Sequence, residues 1–237
     1  MAIINGDGND NVLIGTAADD IINGFGGADT LHGGSGADVL EGGAGADALD
    51  GGGGIDTASY YTSAAPVMVS LATGKGSGGE AQGDTLAGFE NLAGSQGSDW
   101  LEGDAGANLL QGWGGIDVLV GRGGEDVLAG GSGADRFRFI AVGDSAVGAS
   151  ADRITDFSQA QADRIDLQLI DADTGAAGNQ AFSFIGTAPY SGVAGELRYV
   201  IAGGVTTIAG DVDGDMASDF EIQITGAVGL VAPDFLL

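Results

Sequence analysis

An apolar side chain returns every nine positions along two stretches of the chain, 15–59 and 94–138. The residues are Ile22, Leu31, Leu40, Leu49 and Ala58 in the first stretch and Leu101, Leu110, Leu119, Leu128 and Phe137 in the second. Cut at that period, the stretches give ten nonapeptides, such as GGSGADVLE from Gly33 and GWGGIDVLV from Gly112. The apolar residue is eighth. Position one is Gly in all ten, and position four is Gly in all but one, where Ala18 stands. Those glycines admit tight turns and close backbone approach. The period therefore predicts a six-residue turn followed by a three-residue strand whose middle side chain points inward. A flexible glycine linker would not hold such a phase. Ala58, the weakest apolar residue of the series, falls where the first block stops. Residues 6–14, GDGNDNVLI, read as one more repeat with a one-residue slip, acting as a cap.

Between the blocks the phase is lost. Residues 60–93 alternate apolar and polar side chains around Val67–Leu71, as a strand does, and Phe89 and Leu92 lead back into register. That predicts a β excursion docked on the repeats. From Phe139 onward glycine thins. ADRITDF, ADRIDLQLI, QAFSFIG, GELRYVI, VTTIAGDV and FEIQITG then predict six short strands, although the turn SQAQA between Phe157 and Asp163 lacks the expected glycine. Four segments follow: a first repeat block at 1–59, an insert at 60–93, a second block at 94–138 and a C-terminal β domain at 139–237. The predicted class is all-β.

Charge separates the surviving functions. Seven basic residues against 34 acidic ones leave a formal charge of −27, which disfavours nucleic acid and anionic membranes as partners. Without cysteine there are no disulfides or thiolate metal sites, and no stretch reaches the ~20 apolar residues of a membrane span. The start, MAIINGDGND, has neither the basic nor the apolar region of a cleavable secretory signal. His32 is the only histidine, followed by two glycines, so an HExxH zinc site is impossible and a surface role is expected. GKGSGG around Lys75 is not a phosphate loop, because GxxxxGK[ST] is missing.

Position six carries Asp20, Asp29, Asp38, Asp47, Asp56, Asp99, Asn108, Asp117, Asp126 and Asp135. With those residues in place, the nonapeptides resemble the GGxGxDxUx repeats of RTX proteins, which bind Ca²⁺ in a parallel β-roll. The resemblance implies two blocks of β-roll in which two repeats make one coil. Turns eighteen residues apart then stack on one edge with Ca²⁺ between them. Its implied ligands are the position-six side chains together with carbonyls of the glycine turns, among them Gly34, Gly36, Gly43, Gly45, Gly115, Gly124, Gly131 and Gly133. The implied pairs are Asp20–Asp38, Asp29–Asp47 and Asp38–Asp56, then Asp99–Asp117, Asn108–Asp126 and Asp117–Asp135. Asn108 lacks a charge, so its site is expected to be weaker. Asp10 with Asp29 would add a poorly formed site. Elementary electrostatics agrees: carboxylates stacked at the ~4.8 Å strand spacing repel by roughly 1–3 kcal/mol. Ca²⁺ takes six to eight oxygen ligands, which carboxylates and carbonyls supply.

The words GADRFRF, DRITDF, DRIDL, AFSFIG, GELRY, GDVDGD and DFEI resemble the C-terminal domain of serralysin metalloproteases and related type I-secreted proteins. That resemblance implies a secreted, extracellular module without the catalytic half. It also implies that the tail Pro233–Leu237, acidic then hydrophobic, is read by a type I secretion apparatus; the residues alone equally allow an ordinary last strand over 228–237. Asp211, Asp213, Asp215 and Asp219 have the spacing of a Ca²⁺ loop, but Met216 stands where an EF-hand needs glycine, so an Asp/Gly turn is an equal reading. Glu80, Asp84 and Glu90 read as a solvated acidic loop before a further Ca²⁺ site. Trp100 and Trp113 read as packing for the insert, or as sugar-stacking residues. Three functions stay open: a Ca²⁺-triggered folding and export module, on its own or beside an upstream catalytic domain; an adhesive or glycan-binding protein; and an enzyme using a carboxylate pair on polysaccharide.

Overall fold

The computed structural model describes residues 1–237 and consists of two long sheets with a shared core and only short 3-10 turns besides. Successive repeats alternate between the sheets. One sheet takes Ile3–Asn5, Ile21–Asn23, Val39–Glu41 and Thr57–Ser59, and the other takes Val12–Ile14, Thr30–Gly36 and Ala48–Gly54, each strand parallel to the one eighteen residues away. In-register pairs such as Ile22–Leu40 and Leu31–Leu49 stack the eighth residues directly on one another. All ten of these residues are at most 2% exposed, and they form a single core with the apolar residues of the later strands. A three-residue strand contributes one such side chain, worth about 1.5–3 kcal/mol of burial. No coil is stable alone, and the stack is what makes the core.

The N-terminal repeat is in phase, without the expected slip. Val12 pairs with Thr30 and Leu13 with Leu31, so Asn11, not Asp10, occupies position six. The insert is not docked on the roll but woven into it. Met68–Ser70 and Lys75–Ser77 form an antiparallel hairpin inside the second sheet, and Thr85–Ala87 resumes the parallel ladder over Ala48–Asp50. Met68–Ser70 then carries the parallel ladder on to Trp100–Glu102. In the first sheet the boundary vanishes: Asn91–Ala93 pairs with Thr57–Ser59 on one side and Leu109–Gln111 on the other. Coiling therefore resumes at Thr85, before the glycine pattern does.

All six strands expected after residue 139 are present. Asp152–Ile154 and Arg164–Asp166 continue the two sheets of the roll. The first sheet then changes direction. Phe220–Thr225 lies parallel to Asp152–Ile154, and Val205–Asp211 and Glu196–Ala202 follow as an antiparallel meander. The glycine-poor turn at SQAQA forms with Ala162 in the left-handed region, at φ 68°. Tail residues Phe235–Leu236 make a short strand on Arg164–Asp166, ending the second sheet after a 3-10 turn at Ala232–Asp234. No helix is long and apolar enough to cross a membrane.

Candidate metal centres on the edges of the roll

Every coil turns through two hairpin edges, and the position-six side chains line both. Each aspartate passes one oxygen to the coil before it, whereas Asn108 donates its Nδ2 to the Glu90 carbonyl there. Asp38 Oδ1 accepts the Asp20 N–H at 2.7 Å, and Asp56 Oδ1 accepts that of Asp38 at 2.8 Å. On the other edge Asp47 Oδ1 accepts the Asp29 N–H at 2.7 Å. In the second block Asp117, Asp126 and Asp135 do the same for Asp99, Asn108 and Asp117. The implied pairs are thus real neighbours, joined through a backbone N–H and not carboxylate to carboxylate.

The second oxygen divides the turns into two kinds. Oδ2 of Asp29, Asp38, Asp47, Asp56, Asp117, Asp126 and Asp135 is buried without a hydrogen-bond partner, as is that of Asp152. A buried carboxylate oxygen left unpaired costs about 1–3 kcal/mol or more. Burial accordingly pushes Asp117 and Asp126 up to about 7 and Asp135 to about 6, and it raises Asp47 and Asp56 as well. In Asp20 and Asp99 the corresponding oxygen is satisfied by the N–H of position two, from Thr16 and Ser95, and the single side-chain oxygen of Asn108 takes that of Asp104. The Ala2 N–H and the Thr16 hydroxyl hold Asp20 below the usual carboxylate range. Asn11 is of this satisfied kind, taking the Asp7 N–H at 2.8 Å.

Glycine serves these edges in two ways. At position one the backbone angle is ordinary, but a Cβ on Gly33 would stand 2.6 Å from Asp38 Oδ2. At positions two and four, Gly34, Gly36, Gly43, Gly115, Gly124, Gly131 and Gly133 take positive φ. Gly45 does not, yet it shares with them a Cα set directly over the backbone of the turn eighteen residues earlier. The carbonyls of Thr16, Phe25, Gly27, Gly97, Gly106 and Trp113 accordingly face the next turn. Sequence reasoning picked glycines and so missed the position-two residues that are not glycine. Phe25, Trp113 and Arg122 hold the left-handed backbone there at φ 72°, 71° and 69°. The gaps therefore bring buried carboxylate and carbonyl oxygen together. That donor set fits a hard divalent cation of the Ca²⁺ class.

Asp10 does not join a gap: it is exposed, and its Oδ1 accepts the Ala28 N–H. Asp84 and Glu90 are not a solvated loop. They replace the missing position-six residues, accepting the Asp47 and Asp56 N–H groups at 2.8 Å. Asp84 Oδ2 takes the buried Tyr60 hydroxyl at 3.0 Å, and burial lifts its carboxyl to about 6. Asp152 and Asp163 play the same part above Asp126 and Asp135. Their signal in the sequence was absent, because no glycine turn precedes them. Asp211, Asp213 and Asp215 lie together, each with a ligand oxygen within 4.8 Å of the others, while Asp219 Oδ2 is drawn to the Val212 N–H. Met216 takes φ 70° where glycine was missing, and both Asp211 oxygens accept backbone N–H groups. Trp113 meets Tyr61 of the insert edge-on at 5.1 Å, Trp100 lies in register with Met68, and Arg138 covers the Trp100 ring. Both tryptophans thus pack against the insert.

The family of M10 peptidase serralysin C-terminal domains matches residues 2–237. The chain belongs to that family. Serralysin-type β-rolls generally bind calcium, in keeping with the oxygen-lined gaps. None of the curated proteins matches this chain. Among solved structures, the serralysin-type chain is similar to the R3 subunit of the AlgE6 mannuronan C5-epimerase of Azotobacter vinelandii, at 22% identity and a TM-score of 0.31, over 98% of this chain and 80% of that one. It is also similar to the extracellular lipase LipA of Serratia marcescens, at 18% identity and a TM-score of 0.32, over 96% of this chain and 40% of that one.

Proposed function

We propose that this serralysin-type β-roll is a secreted, extracellular module that folds on Ca²⁺ and is exported through its C-terminus by a type I apparatus. One observation carries the metal reading: seven position-six carboxylates each keep a buried oxygen that no protein group satisfies. The residues that would hold the ions are Asp29, Asp38, Asp47, Asp56, Asp117, Asp126 and Asp135, with the facing turn carbonyls. A bound ion would supply the positive charge that offsets their desolvation and mutual repulsion. Without it, three-residue strands offer too little apolar area to hold the edges together. Circular dichroism at pH 8 tests this reading: little sheet in chelator, and sheet gained near the ~0.1–1 mM Ca²⁺ typical of extracellular modules. A spectrum indifferent to Ca²⁺ overturns it.

Export follows the same logic. Low cytosolic Ca²⁺ keeps the chain unfolded for passage, and binding outside makes return unfavourable by mass action. Asp234 is buried and holds the Val231 N–H and the Gln159 amide, so the tail belongs to the folded sheet as well. Deleting residues 234–237 should stop secretion through a matching apparatus; normal export of the truncated chain defeats the signal assignment alone. On this reading the module is a scaffold and not a catalyst. Its single histidine is half-exposed and pairs with Asp50 at 3.4 Å on the outer face.

A further inference from the structure

Five consecutive strands of the first sheet, Ile21–Asn23, Val39–Glu41, Thr57–Ser59, Asn91–Ala93 and Leu109–Gln111, are each followed two residues later by Phe25, Gly43, Tyr61, Ser95 and Trp113. One edge of the roll therefore carries an aromatic side chain on alternate coils, whose strands are roughly 9–10 Å apart, with a small residue between. Phe25, Tyr61 and Trp113 are 58%, 49% and 44% exposed. Phe25 and Trp113 hold the left-handed backbone that glycine takes at Gly43 and Gly131, a strained choice for a bulky side chain. At those exposures burial offsets little of that strain. The Tyr61 and Trp113 rings lean together across the coil of Ser95, edge-on with centroids 5.1 Å apart. The last residues of the five strands, Asn23, Glu41, Ser59, Ala93 and Gln111, form a row beside the aromatics. Two cavities meet at Glu41. One, of about 290 Å³, is lined by Phe25, Asn23 and Thr62, and the other, of about 400 Å³, by Tyr61, Trp113 and Gln111. Glu41 Oε1 takes the Thr62 N–H and hydroxyl at 2.9 and 2.6 Å, which fixes the carboxylate and keeps Oε2 as an acceptor. No basic side chain lines either cavity.

We propose that this groove binds a neutral polysaccharide, with pyranose rings against Phe25, Tyr61 and Trp113 and hydroxyls bonded to Asn23, Glu41 and Gln111. An aromatic face matches the C–H face of a sugar ring, and the amides and carboxylate beside it match hydroxyls, which both donate and accept. The aromatics recur along a stack of coils as sugars recur along a chain. Charge selects among glycans. Glu41 and Glu80 line the groove and the whole chain carries −27, so a uronate or sulfated polymer is repelled. A proline-rich peptide, another occupant of aromatic-lined grooves, presents carbonyl acceptors and few N–H donors. Glu41 finds no partner in it, whereas a sugar hydroxyl donates to Oε2. The proposal adds a binding activity to the module and does not depend on which ions occupy its edges.

The test is native affinity electrophoresis of the full chain in Ca²⁺, in gels containing hydroxyethyl cellulose, galactomannan or the anionic carboxymethyl cellulose. Retardation by at least one neutral polymer is expected, with little by the anionic one. No retardation by either neutral polymer overturns the site, and retardation by carboxymethyl cellulose alone overturns the choice of neutral glycans. Trp113→Gly and Phe25→Gly place at these positions the residue found at Gly43 and Gly131. Each should weaken binding about tenfold, as expected for the loss of one stacking ring, while the circular dichroism spectrum stays that of the wild type. Unchanged retardation in both variants puts the binding elsewhere and sinks the groove. Release of the polymer by an excess of proline-rich peptide would reassign the groove to a protein partner. Should Trp113→Gly not fold, the wild type decides by NMR with a hexasaccharide of the retarding polymer. Of the two tryptophan indole N–H signals, the one that remains in Trp100→Phe is expected to move, and its standing still is fatal.

Discussion

Turns 94–99 and 112–117 lie one above the other on the same edge of the roll, and they treat the same carboxylate in opposite ways. In the lower turn the Ser95 N–H and hydroxyl donate to Asp99 at 2.6 and 2.8 Å, and the Gly97 N–H donates back to the Ser95 hydroxyl. In the upper turn Trp113 and Gly115 are left-handed, and Asp117 Oδ2 is left without a partner. The contrast recurs wherever a block begins. Thr16 lies below Gly34, Asp104 below Arg122 and Asp7 below Phe25. A position-six aspartate is therefore not enough to make a cation site. Position two decides whether its second oxygen is met by the peptide or stays unpaired. The foundation turns of each block are complete in protein terms, and the turns stacked on them are not.

The largest expected effect is on pH dependence, which should have opposite sign with and without Ca²⁺. In the metal-free fold burial pushes Asp117 and Asp126 up to about 7 and Asp135 up to about 6, from 3.8 for an ordinary aspartate. The folded state then holds more protons than the unfolded chain. Its stability is greatest below about pH 4 and is lost as pH rises through about 6 to 7. Melting followed by circular dichroism in chelator should thus reveal more structure at pH 5 than at pH 8. In Ca²⁺ the order should reverse, because protons compete for the same oxygens. Equal melting at both pH values in chelator would mean that the unpaired oxygens are not buried in solution.

Next in size is a crossover between Asp117→Ala and Asp99→Ala. In saturating Ca²⁺, Asp117→Ala should cost more. It strips a ligand from two gaps and also orphans the Asp99 N–H, which alone is worth about 1–3 kcal/mol. In chelator at pH 5 the order should invert. Asp99 then still holds the Ser95 and Val67 N–H groups, whereas Asp117 is the one with an unsatisfied oxygen. Denaturant melts of both variants in the two conditions decide it, and a fixed order would erase the distinction between the turns.

Gly33→Ala should be severe and Gly53→Ala mild, although neither glycine has a positive φ. A Cβ at Gly33 runs into Asp38 and the Gly51 carbonyl, whereas one at Gly53 meets nothing within 4 Å. Thermal melts in Ca²⁺ read the difference, with a loss of a few kcal/mol expected only at Gly33, in the range of overpacking. Smallest of all is His32→Ala. An exposed pair at 3.4 Å contributes ~0–1 kcal/mol at most, so melting and Ca²⁺ affinity should both stay as in the wild type.

Much of this was legible in the residues themselves, because a strict period leaves few choices. Ten eighth-position side chains announced the core, and all ten are buried. The alternation around Val67–Leu71 announced a strand, found at Met68–Ser70, and six later words announced six strands. Period and composition are local properties, and a stack of like coils maps them onto space without long-range information. What needed the tertiary structure was everything set by the neighbouring coil. Glu90, Asp152 and Asp163 follow no nonapeptide turn and Asp84 lies in the insert, yet each stands above a repeat and takes its N–H. The second oxygen of a position-six carboxylate looks the same in Asp99 and Asp117 when read along the chain. Only the left-handed or hydrogen-bonded state of position two decides which of the two keeps an unpaired oxygen.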